Sequence, residues 1–145
     1  MKVKECMCSN IYYCMPDTKI SDVAKMMNEN HVGCIPVCNS DNYVVGILTD
    51  RDIILRSVAC DKDAKNTIVS DIMTCNATCC DSNDDIESVT KTMGQAGIRR
   101  IPVTEQGKLV GMLTIGDFAK HQNISCECVG ITLENICNCN DKNNK

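Results

Sequence analysis

Apolar residues at Ile20, Val23, Ala24 and Met27 recur at i, i+3, i+4 and i+7, the spacing of one helix face. Ile86, Val89, Thr90 and Met93 repeat that spacing further on. Each predicted helix is followed by two β-branched, apolar runs: IPV then YVVGIL in one case, IPV then KLVGML in the other. Polar turns separate the runs, so each pair reads as two strands. A short apolar segment precedes each helix (IYYC, ATCC) and leads into a polar turn (MPDTK, DSNDD). Thr18 and Asp84 stand at equivalent N-cap positions, and Asp84 has Glu87 three residues on, a capping-box spacing. A further helix starts at Thr49 and again at Thr114. Each half therefore reads β-α-β-β-α.

The two halves are copies. A shift of 66 residues lays VKECM over VSDIM, Cys14 over Cys80 and Ile35-Pro36-Val37 over Ile101-Pro102-Val103. Beyond the strand–strand turn the shift becomes 65, laying Gly46, Leu48, Thr49 and Asp52 over Gly111, Leu113, Thr114 and Asp117. The second copy lacks one turn residue (TEQGK against CNSDNY), and a turn is where a fold tolerates an indel. A copy alone buries too little surface for comfortable stability, whereas two copies with their sheets packed together resolve that problem around a pseudo-twofold axis. The expected organisation is a first motif over 1–59, a polar linker over 60–66, a second motif over 67–121 and a tail over 122–145. In the tail, ISCECVGITLENIC predicts a helix with Ile124, Cys128, Ile131 and Ile136 inward, and NCNDKNNK a frayed end.

The repeated octets GILTDRDI and GMLTIGDF carry the candidate chemistry. Thr at an N-cap with Asp at N3 is a structural capping pair. Asp52 stands four before Arg56 and Asp117 four before His121, ordinary i,i+4 partners. The same corner also has a binding reading. Helix N–H groups favour an anion such as phosphate. A carboxylate there accepts both hydroxyls of a ribose diol, the Thr hydroxyl donates to ribose or phosphate, and apolar strand edges sandwich a flat base. The two readings are compatible, because a cap is also the lip of a cleft.

Composition narrows the function. The chain has 145 residues, 43% hydrophobic and 23% charged, which is a globular balance. A net charge of −4 argues against nucleic-acid or anionic-membrane partners. The absence of Trp, with one Phe and three Tyr, removes a stacking platform for single strands. MKVKECMCSN lacks the apolar core of an export signal, so the expected location is cytoplasmic. Thirteen cysteines, an odd number, then read as reduced thiols. Cys6-x-Cys8, Cys126-x-Cys128 and Cys137-x-Cys139 leave a metal or redox protein as an alternative, although the tail spacing is not a usual one. No Walker loop, GxGxxG, GxSxG or HExxH motif is present, and the expectation is not an enzyme.

Two β-α-β-β-α copies, each with IPV and then VG(I/M)LTxxD, and each preceded by a segment like DIMT (71–74), resemble a tandem CBS-domain pair, or Bateman module. The resemblance covers roughly residues 1–121. It implies an α+β fold with helices outside, a regulatory role, a disc-shaped homodimer, an unidentified protein target and no cofactor. It also implies an adenosine-containing ligand (AMP, ADP, ATP or S-adenosylmethionine) in clefts between the copies. Asp52 and Asp117 would hold the ribose diol and Thr49 and Thr114 would lie beside ribose or phosphate. Arg99 and Arg100, just before the second IPV strand, would face phosphate, with Ile35, Pro36, Ile101 and Pro102 beside the base. Basic residues of one copy can face the ribose Asp of the other in such proteins. Gly33 and Cys34 match Arg99 and Arg100 in the first copy, so the site pairing Thr49 and Asp52 with the two arginines is expected to prefer a phosphorylated ligand. A ligand-free scaffold for dimerisation or docking remains the alternative within the same fold.

Overall fold

The computed structural model describes residues 1–143, with no side chain described at Asn143. In chain order the elements are α1 (Ile20–Asn30), β1 (Cys34–Cys38), β2 (Val44–Thr49), α2 (Asp50–Ile53), β3 (Thr74–Cys75), β4 (Cys80–Asp81), α3 (Ile86–Ala96), β5 (Arg100–Glu105), β6 (Lys108–Thr114), α4 (Ile115–Lys120) and α5 (Cys126–Asn143). The strands form two sheets, ordered β1-β2-β3 and β4-β5-β6. Helix and strand are mixed in each half, an α+β fold.

The chain divides into two compact units that do not follow the repeat boundary. The first unit holds Tyr12–Ala77 with Gly107–Leu109, and the second holds Met1–Ile11, Thr78–Gln106 and the chain from Val110 on. The leader segments are exchanged: VSDIM, written before the second copy, packs on the first, while VKECM packs on the second. In the first unit Val69 and Ile72 enter the core, and β3 pairs antiparallel with β2 through Gly46↔Cys75 and Ile47↔Thr74. In the second, Val3 enters the core and Cys8 bridges Met112 antiparallel. The bridges Lys19↔Ile68 and Lys2↔Asp85 complete the same exchange.

The first core gathers Cys14, Ile20, Val23, Met27, Ile35, Val37 and Leu48 with the two leader residues. The second gathers Cys80, Ile86, Val89, Met93, Ile101, Val103, Leu113 and Phe118 with Val3. Both predicted helical faces are present, but Ala24 is exposed while its counterpart Thr90 is buried. The N-caps are Lys19 and Asp85, one residue later than expected, and neither makes a side-chain cap. Thr18 instead accepts from the Met15 amide at 3.1 Å, and Asp84 from the Asp81 amide at 2.9 Å, so both oxygens close the preceding turn. The leading strand of the first copy is reduced to a parallel bridge between Cys14 and Val37. The turn between β5 and β6 places Gln106 and Gly107 at positive φ, 52° and 82°, as a tight two-residue hairpin requires. The turn between β1 and β2 is longer, with an irregularity between Val37 and Cys38 that takes up the extra residue.

The polar stretch 60–66 is tied down, because the carbonyl of Ala64 accepts from the Ser21 amide at 3.0 Å. In the tail, α5 runs on through Asn143 and takes in residues 138–143 of the end expected to fray; Asn144 and Lys145 lie outside the described residues. Ile136 is buried as expected, but Ile131 is 52% exposed and Thr132 takes the inward place. The Thr132 hydroxyl donates to the Cys128 carbonyl at 2.7 Å, which makes a polar residue acceptable on the buried face.

Candidate functional site

Each strand-to-helix corner is built by one reciprocal pair of hydrogen bonds. In the first unit the Thr49 hydroxyl accepts from the Asp52 amide at 3.1 Å, and Asp52 Oδ2 accepts from the Thr49 amide at 3.0 Å. In the second, the Thr114 hydroxyl accepts from the Asp117 amide at 3.2 Å. Asp117 Oδ2 accepts there from both the Thr114 amide, at 2.8 Å, and the Thr114 hydroxyl, at 2.7 Å. Such a cap contributes about 0.5–2 kcal/mol to the fold. It also fixes one carboxylate oxygen and leaves the other aimed elsewhere. Asp117 Oδ1 has no hydrogen-bond partner among the described residues. Asp52 Oδ1 lies 3.7 Å from Arg56 Nη1, and its side chain is 14% exposed.

Arg99 and Arg100 are exposed. The Arg99 carbonyl accepts from the Ile115 amide at 3.1 Å, which ties its backbone to the Thr114–Asp117 corner of its own unit. The matching bond in the first unit runs from the Asp50 amide to the Gly33 carbonyl at 3.0 Å. Each unit thus joins its own pre-strand residues to its own corner. Ile35 and Ile101 are fully buried in the cores, and Pro36 and Pro102 are buried too. Their side chains are held by packing.

Two features escaped the sequence reading. Past Ile53 the helix widens into a π turn over Ile54–Val58, and the buried Ser57 hydroxyl there has no partner among the described residues. Three apolar residues of that turn, Ile54, Leu55 and Val58, are exposed. The DIILRSV run is apolar enough to flag a helix, but nothing in it marks the register change. A cavity of about 470 Å³ in the second unit lies between the start of α3 (the N-cap Asp85 with Ile86 and Glu87) and Asn123–Ser125. None of the sequence-predicted site residues lines it.

The thiols separate by burial. Burial pushes the Cys14 thiol up to about 12, helped by the adjacent Cys38. Cys80 is likewise pushed up to about 12, by burial first and then by Asp84, Cys79 and Asp81. Cys6 is raised by burial and by the Asp117 carboxylate. The thiolate is the reactive and metal-binding form, so burial holds Cys14 and Cys80 in the unreactive one. At pH 8 a thiol reagent should label the exposed Cys8, Cys60, Cys75, Cys126 and Cys137 and leave Cys14 and Cys80 untouched until the chain is denatured. The unfolded thiols release protons near 9.0 while the folded ones hold them to about 12. The unfolded state therefore binds fewer protons in that window, and stability, complete below it, falls as pH rises through it. Melting curves at pH 8 and pH 10.5 would show the decline; a flat profile would contradict it. Among the described residues no cluster of three or more His, Cys, Asp or Glu is placed to hold a metal ion. No described helix is long and apolar enough to cross a membrane.

The CBS domain family matches residues 3–59 and 69–123. The chain is 37% identical to the CBS domain-containing protein YhcV of Bacillus subtilis over 134 residues, 92% of this chain and 94% of that one. Among solved structures it is similar to Hypoxic Response Protein I with two coordinated zinc ions, with a TM-score of 0.78 and 26% identity over 83% of this chain and 98% of that one. It is also similar to CBSX2 in complex with AMP, with a TM-score of 0.69 and 26% identity over 80% of this chain and 91% of that one. The doubled helix–strand–strand–helix order, the twin Thr-x-x-Asp corners and the two family matches establish that this chain belongs to the CBS domain family and carries the domain as a tandem pair.

Proposed function

We propose that the chain is a regulatory module that senses an adenosine-containing ligand, AMP, ADP, ATP or S-adenosylmethionine. The observation that carries this reading is the paired corner. Each corner fixes one carboxylate oxygen by backbone and leaves the second for a diol. The AMP complex of CBSX2 supports the same ligand class. In this reading Thr49, Asp52, Thr114 and Asp117 receive ribose, and Arg99 and Arg100 neutralise phosphate. Ile35, Pro36, Ile101 and Pro102 contribute strand backbone beside the base. The module acts without catalysis in the cytoplasm, as a homodimer whose state a target protein reads. The exposed Ile54, Leu55 and Val58 support an association surface.

A ligand present at 100 times its dissociation constant raises folded-state stability by about 2.7 kcal/mol. A thermal-shift series with AMP, ADP, ATP, NAD, S-adenosylmethionine and adenosine should therefore show at least one clear rise. No rise with any of them would leave the scaffold reading. Charge-assisted contacts to phosphate contribute ~1.5–3 kcal/mol each. The double variant Arg99→Ala/Arg100→Ala should weaken AMP or ATP by at least about tenfold, ~1.4 kcal/mol, and adenosine little. Equal losses for both would remove the arginines from the site. Combining that variant with Asp52→Ala or with Asp117→Ala tells which aspartate shares a ligand with them, since only the coupled pair is non-additive.

A further inference from the structure

Arg56 is half-exposed and held in place. Its Nη1 donates to the Ile72 carbonyl at 3.0 Å, just before β3, and to the hydroxyl of Thr74, the first residue of β3, at 3.3 Å. The same nitrogen stands 3.7 Å from Asp52 Oδ1, too far for a hydrogen bond. A guanidinium that served only to pair with this carboxylate would close on it with its planar fork, at about 2.7–2.9 Å. Here the pair is left open. Among the described residues Nε and Nη2 make no hydrogen bond, so one edge of the fork is uncommitted.

The repeat sharpens the point. The residue matching Arg56 in the second copy is His121, and the residues matching Arg99 and Arg100 in the first copy are Gly33 and Cys34. The first corner has no arginine or lysine at the positions ahead of β1, where His31 is close but offset, and carries an arginine behind Asp52 instead. That cation is fixed by two bonds through a single nitrogen, so little side-chain freedom remains to be lost when a ligand arrives. A planar fork with free donors matches a phosphate or a carboxylate bidentately, and of these the phosphate is the one a nucleotide carries.

We infer that Arg56 is a specificity-determining residue of the first corner, which binds the phosphate of a nucleoside monophosphate whose ribose diol Asp52 holds. This rests on the reading of the Thr49–Asp52 corner as a nucleoside site and names the ligand class for it. The arginine offsets the carboxylate's charge, so the anionic ligand is not repelled by the group that grips its sugar.

The test is calorimetric titration of the full chain with AMP and with adenosine, for wild type, Arg56→Gln and Arg56→Lys. Arg56→Gln should lose about tenfold or more in AMP affinity and keep adenosine affinity within about twofold. Arg56→Lys keeps the charge without the fork and should fall between the two for AMP. It also serves if the glutamine variant, deprived of its anchor to Ile72, does not fold. AMP affinity unchanged in both variants would overturn the inference. So would equal losses for AMP and adenosine, which would make Arg56 a support for Asp52 and β3. Wild type that binds S-adenosylmethionine but not AMP would overturn it while leaving the sensor reading standing. Wild type that binds no adenosine compound would remove both.

Discussion

Phe118→Ala is expected to cost about 3–5 kcal/mol and to melt the second unit ahead of the first. Phe118 is the chain's sole phenylalanine and is fully buried in the second core, among Val3, Met93, Ile101 and Leu113. Removing its ring loses the transfer free energy of the side chain and leaves a cavity that rigid neighbours cannot close. A domain of this size has about 5–15 kcal/mol in hand, so this one side chain holds a large fraction of it. The repeat supplies an internal comparison. The matching residue of the first copy, Ile53, is only partly buried against its core. Ile53→Ala should therefore cost clearly less. Urea titrations followed by far-UV circular dichroism would measure both; a Phe118→Ala loss below that of Ile53→Ala would show that the second core is not organised around the ring.

Gly46→Val should detach β3 and destabilise the first unit by about 1–3 kcal/mol or more. A Cβ at Gly46 would lie 2.8 Å from the Met73 sulfur and 2.8 Å from the Thr74 carbonyl oxygen. The methionine can swing aside, but the carbonyl belongs to the strand that pairs with β2 and cannot move without breaking the ladder. Gly111 repeats the arrangement, with the Met7 sulfur at 2.7 Å and the Cys8 carbonyl oxygen at 3.0 Å. The glycine in each VG(I/M)LT run is there because a leader backbone crosses it at contact distance. Amide hydrogen exchange in Gly46→Val should show faster exchange at residues 74–75 and little change near Cys8. Uniform exchange across both units would contradict a local clash.

Much of this was legible in the sequence. The helical spacing named Ile20, Val23 and Met27 as core, and the constant offset found both Thr-x-x-Asp corners, whose capping bonds form as the spacing requires. The exchange of leaders was not legible. Two-residue strands such as Thr74–Cys75 carry no periodicity, and a repeat alignment orders segments along the chain, not in space. The burial of Ile35 and Ile101 was also missed as a limit on their role. β1 is covered on both faces from Ile35 to Cys38, so the alternation that separates a lining face from a core face is absent. The inward Thr132 defeated the hydrophobic pattern because its hydroxyl is satisfied inside its own helix.

Because each half borrows its opening residues from the far side of the linker, a cut near residue 60 would not release two working modules. The N-terminal fragment would lack Val69 and Ile72, the C-terminal one Val3 and its neighbours. The duplication is thus locked in: neither copy can be deleted or swapped without taking away residues that close the interior of the other.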